Sequence, residues 1–286
     1  MQDQATALRQ LKKQFDRQAA EPLPPPDFFL ASLPRPTPFT TLLLIAPDKV
    51  GSRFPPLQEW LPAFLKPGRS PHVWDQAGLL SARMAPLDER EYDPFLPSKH
   101  LVEWSGGPVW LIPRLESLSG LLRQSEIVRM RFSKSLNNML SNPSSLWITL
   151  AQNELAGCAP LVHAADIACV LVPQDSESIL RSYEVVKTLH LSGFFSPILL
   201  LIESSPEDPM GSTSFSRIRD VAKQFLALDL LKAGVLPSGN PSPDMETAAR
   251  LHAIMDSIEP HSRRFLFAFA ERLLYPGPGD GGEKHV

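Results

Sequence analysis

From Thr41 onward, short apolar runs alternate with longer amphipathic stretches. The runs TLLLIA (41–46), HVW (72–74), VWLI (109–112), LWITL (146–150), ACVLV (168–172), PILLLI (197–202) and KAGVL (232–236) predict strands. Several are apolar at successive positions, the pattern of a parallel strand covered on both faces. Helical periodicity fills the intervals at 56–65, 115–140, 176–190, 215–227 and 244–274. This alternation predicts an α/β fold, a mostly parallel twisted sheet flanked by helices on both faces.

Ahead of that body the pattern changes twice. Residues 1–20 lack Pro and Gly and place Ala5, Leu8, Leu11 or Lys12, Phe15 and Ala19 on one narrow apolar stripe. Arg9, Lys12, Lys13 and Arg17 make the rest of this predicted helix basic, and alone in water it would be marginal. Residues 21–39 follow with seven prolines between Pro22 and Pro38, an extended semi-rigid linker. The organisation read from the chain is therefore an N-terminal helix (1–20), a Pro-rich linker (21–39), an α/β domain (40–275) and a disordered tail (276–286). The polar stretch 80–105, with Pro86, Pro94 and Pro97, reads as a long excursion from the domain.

Composition narrows the function classes. A net charge of −3 over 286 residues argues against nucleic acid as the main partner, because phosphate binding needs a clustered basic excess. Two cysteines, Cys158 and Cys169, supply neither a disulfide framework nor a four-ligand zinc site and read as small buried hydrophobes. His163, His190 and His252 lie at no ligand spacing, so no metal is expected. No apolar run approaches the ~20 residues of a membrane span, and the polar N-terminus lacks a signal-peptide core; the expected compartment is cytoplasmic. The acidic run Asp88, Glu89, Glu91 and Asp93 reads as a solvated loop.

In such a sheet, the loop after the first strand is where backbone N–H groups would cradle phosphate. Here it reads Ala46-Pro47-Asp48-Lys49-Val50-Gly51-Ser52-Arg53-Phe54-Pro55. Only Gly51 stands where a phosphate loop needs it; Asp48 puts a carboxylate in place of the anion, and Pro55 and Pro56 interrupt the helix start.

The body of the chain resembles the MinD/FlhG family of deviant-Walker ATPases, which place division machinery and flagella. The resemblance covers about 40–275 and is clearest in ADIACVLVPQDSESILRSYEVVKTL (165–189), with Pro173, Ser178, Ile179, Ser182, Tyr183 and Lys187 at matching positions. PILLLIESS (197–205), FSRIRDVAKQFLALDLLKAGVLP (215–237), EPHSRRFLFAFAERLL (259–274) and GGPVWLIP (106–113) are similar to further family elements in the same order. The resemblance implies a MinD-like P-loop NTPase fold whose nucleotide site is degenerate. Pro47 falls on the signature Lys, Ser52 on the phosphate Lys and Arg53 on the magnesium Thr, with Val50 and Gly51 on the family's Val-Gly. HVWDQAGLL (72–80) resembles the Asp-x-Asp switch: Asp75 keeps the first carboxylate and Ala77 replaces the second. Where the family has Asp-x-Gly after the next strand, this chain has Leu150-Ala151-Gln152. Phosphoryl transfer depends on positioned charge and metal, so the resemblance implies a pseudo-ATPase with no cofactor. Family dimers are clamped by ATP, and no ATP-driven dimer is expected.

Asp3-Gln4-Ala5-Thr6-Ala7-Leu8-Arg9 matches Asp-Gln-Ala-x-x-Leu-Arg, the motif of the FlhG activation helix, which docks on the signal-recognition-type GTPase FlhF. The implied partner is an FlhF-like GTPase, with flagellar basal-body or regulatory proteins beyond it and recruitment to the cell pole through a partner. In that reading Gln4 positions the attacking water in trans, Arg9 adds charge, and Ala5 with Leu8 docks as helix anchors do. The last apolar stripe, Phe265, Leu266, Phe269 and Leu273, is expected to pack on the core, and stable membrane binding is not expected. Two other readings remain open: a scaffold of another polar or pilus assembly, and an ATPase with an unorthodox site.

Overall fold

A computed structural model describes residues 39–46, 71–77, 102–103, 110–113, 121–140, 143–173, 175–204, 208–209, 211–236, 245–258 and 262–274. The predicted helices 1–20 and 56–65, nearly all of the linker and the 80–105 excursion, and the tail lie outside them.

Among the described residues, eight strands form one sheet: β1 (Thr40–Ala46), β2 (His72–Asp75), β3 (Val102–Glu103), β4 (Trp110–Pro113), β5 (Ser145–Ala151), β6 (Ile167–Val172), β7 (Ile198–Glu203) and β8 (Leu231–Leu236). Their order is β3-β4-β2-β5-β1-β6-β7-β8. Every pairing is parallel except β3 with β4. All seven predicted strands are present, each within a residue or so of its expected bounds. β3 is an addition, a two-residue edge strand inside the stretch read as an excursion.

The α-helices among the described residues include α1 (Glu126–Met139), α2 (Ala159–Ala164), α3 (Ser176–Leu191), α4 (Ser212–Leu226), α5 (Met245–Ser257) and α6 (Ser262–Leu274). Three differ from the sequence reading. Within the described part of the predicted 115–140 helix, residues 121–122 are helical, the chain turns at 123–125, and α1 begins at Glu126, where Ser125 caps it by accepting from the Val128 N–H at 3.4 Å. The single 244–274 helix is two helices, split where the chain carries Pro260, a residue that removes a donor and clashes with the preceding turn. The short α2 has no counterpart in the expected elements.

Side-chain alternation along the strands divides the interior into two cores. Leu43 and Ile45 of β1, Ala168, Val170 and Val172 of β6 and Ile198, Leu200 and Ile202 of β7 face one side. Leu42 and Leu44, Ile167, Cys169 and Leu171, and Leu199 and Leu201 face the other. Helices α1, α2, α3, α4 and α6 contribute to the first core, and α5 to the second through Ala248, Leu251 and Met255. Phe39, the last residue of the expected linker, is already buried in the first core.

Local polar bonds fix the helices to this frame. Asp175 caps α3 by accepting from the Ser178 N–H at 2.9 Å and its hydroxyl at 2.7 Å. Ser182 donates to the carbonyls of Leu171 and Ser178, tying α3 to β6. At the opposite end of the central strands, Asp166 accepts from the Thr41 N–H at 2.8 Å, while its own N–H donates to the Thr41 carbonyl.

Phe269 and Leu273 of α6 are fully buried, as expected for the last stripe. Phe269 meets Trp74 edge-on, with ring centroids 5.7 Å apart at 85°, and Phe132 at 6.5 Å. Its truncation leaves a cavity between a strand and two helices. Phe269→Ala is expected to lower stability by about 3–5 kcal/mol, read from urea denaturation, with the transition remaining cooperative.

Candidate functional site

In an open α/β sheet, ligands bind beyond the carboxyl ends of the strands, where the strand order reverses. That place here is the crest over β2, β5, β1 and β6. The chain goes from β1 outward to β2 and β4, returns through β5 between β2 and β1, and crosses to β6 on the far side. The strand ends at the crest are Asp75, Ala46, Ala151 and Val172.

Asp75 is the last residue of β2 and lies opposite Thr149 of β5 in register. It is wholly buried, and its Oδ1 accepts a hydrogen bond from Thr149 Oγ1 at 2.8 Å. Thr149 Oγ1 in turn accepts from the Ala77 N–H at 3.2 Å, and the Thr149 carbonyl accepts from the same N–H at 3.1 Å. The carboxylate, hydroxyl and amide thus form a connected set that fastens the turn after β2 onto β5. A carboxylate taken out of water needs such donors, since leaving it without them would cost several kcal/mol.

The next position follows the same logic. Leu150 is fully buried in the first core beside Ile45 and Ile148. After it, a single 3₁₀ turn (Gln152–Glu154) leaves the strand, and Glu154 folds back so that its carboxylate accepts from the Ala151 N–H at 2.8 Å. An N–H at the end of a central strand, a natural donor to an anion, is therefore already bonded to the chain's own side chain.

Glu154 also lies beside Cys158. Burial first, and the nearby Glu154 charge second, push the Cys158 thiol up to about 12. Burial alone does the same to Cys169, also to about 12. Both sulfurs are neutral thiols at physiological pH and poor nucleophiles or metal ligands. Among the described residues, no group of three or more His, Cys, Asp or Glu side chains is placed to hold a metal ion. None of the described helices is long and apolar enough to cross a membrane.

Of the candidate nucleotide-site residues read from the sequence, Asp75, Ala77 and Leu150 are therefore placed, and the first two are brought together. Pro47, Gly51, Ser52 and Arg53 lie outside the described residues, as do Asp3, Gln4, Ala5, Leu8 and Arg9. Thr149 and Glu154 were missed. Thr149 carries one available signal, a polar residue within the apolar run of β5.

The Asp75–Thr149 bond yields a direct prediction. Thr149→Val removes the donor and leaves a buried carboxylate short of a partner, and is expected to cost about 1–3 kcal/mol in urea denaturation. Thr149→Ser, which retains the hydroxyl, is expected to recover most of that loss.

No family model and no curated protein matches the chain. Solved structures similar to it include the MinC:MinD cell division protein complex of Aquifex aeolicus, at 16% identity over 83% of this chain and 97% of that one, with a TM-score of 0.48. A ParA family ATPase from Chlorobium tepidum is 10% identical over 83% of this chain and 98% of that one, with a TM-score of 0.46. An ATP complex of a Cyanothece McdA variant is 17% identical over 84% of this chain and 98% of that one, with a TM-score of 0.43.

Proposed function

We propose that the protein is a non-catalytic regulator: a pseudo-ATPase of MinD/FlhG type that stimulates an FlhF-like GTPase through its N-terminal helix and so acts on flagellar placement or number. The observation that carries the reading is the internal engagement of the crest. Asp75 is bonded to Thr149, the Ala151 N–H is bonded to Glu154, and Leu150 is part of the core. One carboxylate that could orient water or metal, and one strand-end donor that could face phosphate, are thereby engaged in holding the sheet, which supports the reading. Ala77 brings no carboxylate to the turn, and Ser52 and Arg53 replace the Lys and Thr of the motif.

What remains is presentation. The predicted basic helix of residues 1–20 carries Asp3, Gln4, Ala5, Leu8 and Arg9 ahead of a proline-rich segment read as a tether. A Gln amide both donates to a phosphate oxygen and accepts from water, so Gln4 placed at a partner's nucleotide site can orient the attacking water. Leu8 and Ala5 supply the apolar anchor. In this account the protein works in the cytoplasm and reaches the cell pole through its partner.

The test is a GTPase assay with an FlhF-like enzyme, using the 1–20 peptide and the full-length chain. Both are expected to accelerate hydrolysis. Gln4→Ala is expected to leave binding nearly intact and to lower the stimulated rate, on the order of ten- to a thousandfold for a positioned polar group. Leu8→Asp is expected to abolish docking by placing a charge in the apolar contact. An unchanged rate with peptide and full chain alike would refute the reading and favour a scaffold whose core surface is the working part.

A further inference from the structure

The edge of the sheet at β8 carries a device unconnected with the crest. Among the described residues β8 ends the strand order, and an end strand offers a row of backbone N–H and C=O groups on which another chain can build. In a parallel ladder, alternate residues point both their polar groups to the same side. Leu236 turns inward, its carbonyl accepting from the Ser204 N–H at 2.7 Å, so its neighbour Val235 turns outward.

Thr247 of α5 meets Val235 there with one hydroxyl. Thr247 Oγ1 accepts from the Val235 N–H at 3.0 Å and donates to the Val235 carbonyl at 3.1 Å. A neighbouring strand would make the same two bonds. The threonine is only 4% exposed, so water does not compete for them.

The preceding residue is matched to this approach. A Cβ on Gly234 would lie 2.4 Å from Thr247 Cγ2, 2.5 Å from its Oγ1 and 2.7 Å from its Cβ. Glycine at 234 thus makes room for the threonine, and the two positions form one contact.

We propose that Thr247 seals the outer edge of β8, standing in for a further strand and closing the Val235 end of the sheet to strand addition by another chain. The seal makes α5 a strap as well as a packing element.

Hydrogen exchange of the full-length protein, followed residue by residue, tests this. In the wild type the Val235 amide is expected to exchange slowly, like Leu201 in the interior strand β7. Exchange of Val235 at the rate of an open edge amide would overturn the proposal before any variant is made. Thr247→Ser keeps the hydroxyl and is expected to preserve protection. Thr247→Val removes it, and Val235 is expected to exchange roughly tenfold faster or more while Leu201 is little changed. Equal acceleration of both amides would mean a general loss of stability and would contradict a local seal. Gly234→Ala provides an independent arm, since the added methyl displaces Thr247; an unchanged Val235 in that variant would also overturn the proposal. Sedimentation of Thr247→Val over a concentration series is expected to show association beyond that of the wild type, and equal association would refute the closure to strand addition.

Discussion

The structure depends on the burial of its central parallel strands from both sides. β1, β5, β6 and β7 carry apolar residues at successive positions, nearly all of them fully buried. Burying each Leu, Ile or Val side chain contributes about 1.5–3 kcal/mol. No part of a strand held this way can turn to water, so every backbone polar group must find its partner in the ladder or at the strand ends. The strand ends are where this constraint becomes visible as named bonds: Asp166 with Thr41 at one end, and Asp75 with Thr149 and Glu154 with Ala151 at the other.

The crest follows from that requirement. In a sheet of this topology the carboxyl ends of the strands are the natural seat of a ligand, and a ligand's phosphates can satisfy strand-end donors. Here the Ala151 N–H has its partner in the chain's own Glu154. A carboxylate that fastens two strands together is poorly available to orient water, and an N–H bonded to Glu154 is not open to phosphate. The proposed regulatory role follows from this self-sufficiency together with the N-terminal motif. The edge at β8 shows the same principle in another place, where the Thr247 hydroxyl satisfies the outward N–H and C=O of Val235.

The strands were legible because a two-sided buried strand leaves an uninterrupted apolar run, a signal that survives without any partner. Elements that depend on less sequence were not. β3 is only Val102–Glu103 within a polar stretch, and α2 spans six residues with Pro160 in its first turn. The boundary between α5 and α6 was hidden because apolar periodicity continues on both sides of Pro260. At the site, Asp75 was legible as a residue but its role was not. The bond to Thr149 joins residues 74 positions apart and exists only through the register of β2 against β5. Glu154 folds back over three residues through a turn whose geometry the sequence does not announce.

Ligand linkage gives the most direct test of the claim that the crest needs no nucleotide. A ligand that binds only the folded state raises its stability by RT ln(1 + [L]/Kd), about 2.7 kcal/mol at a hundredfold excess over Kd. The measurement is thermal denaturation of the full-length protein with and without millimolar magnesium-ATP. The account predicts the same transition temperature in both. A rise of several degrees that grows with ATP concentration would contradict it and identify a working nucleotide site.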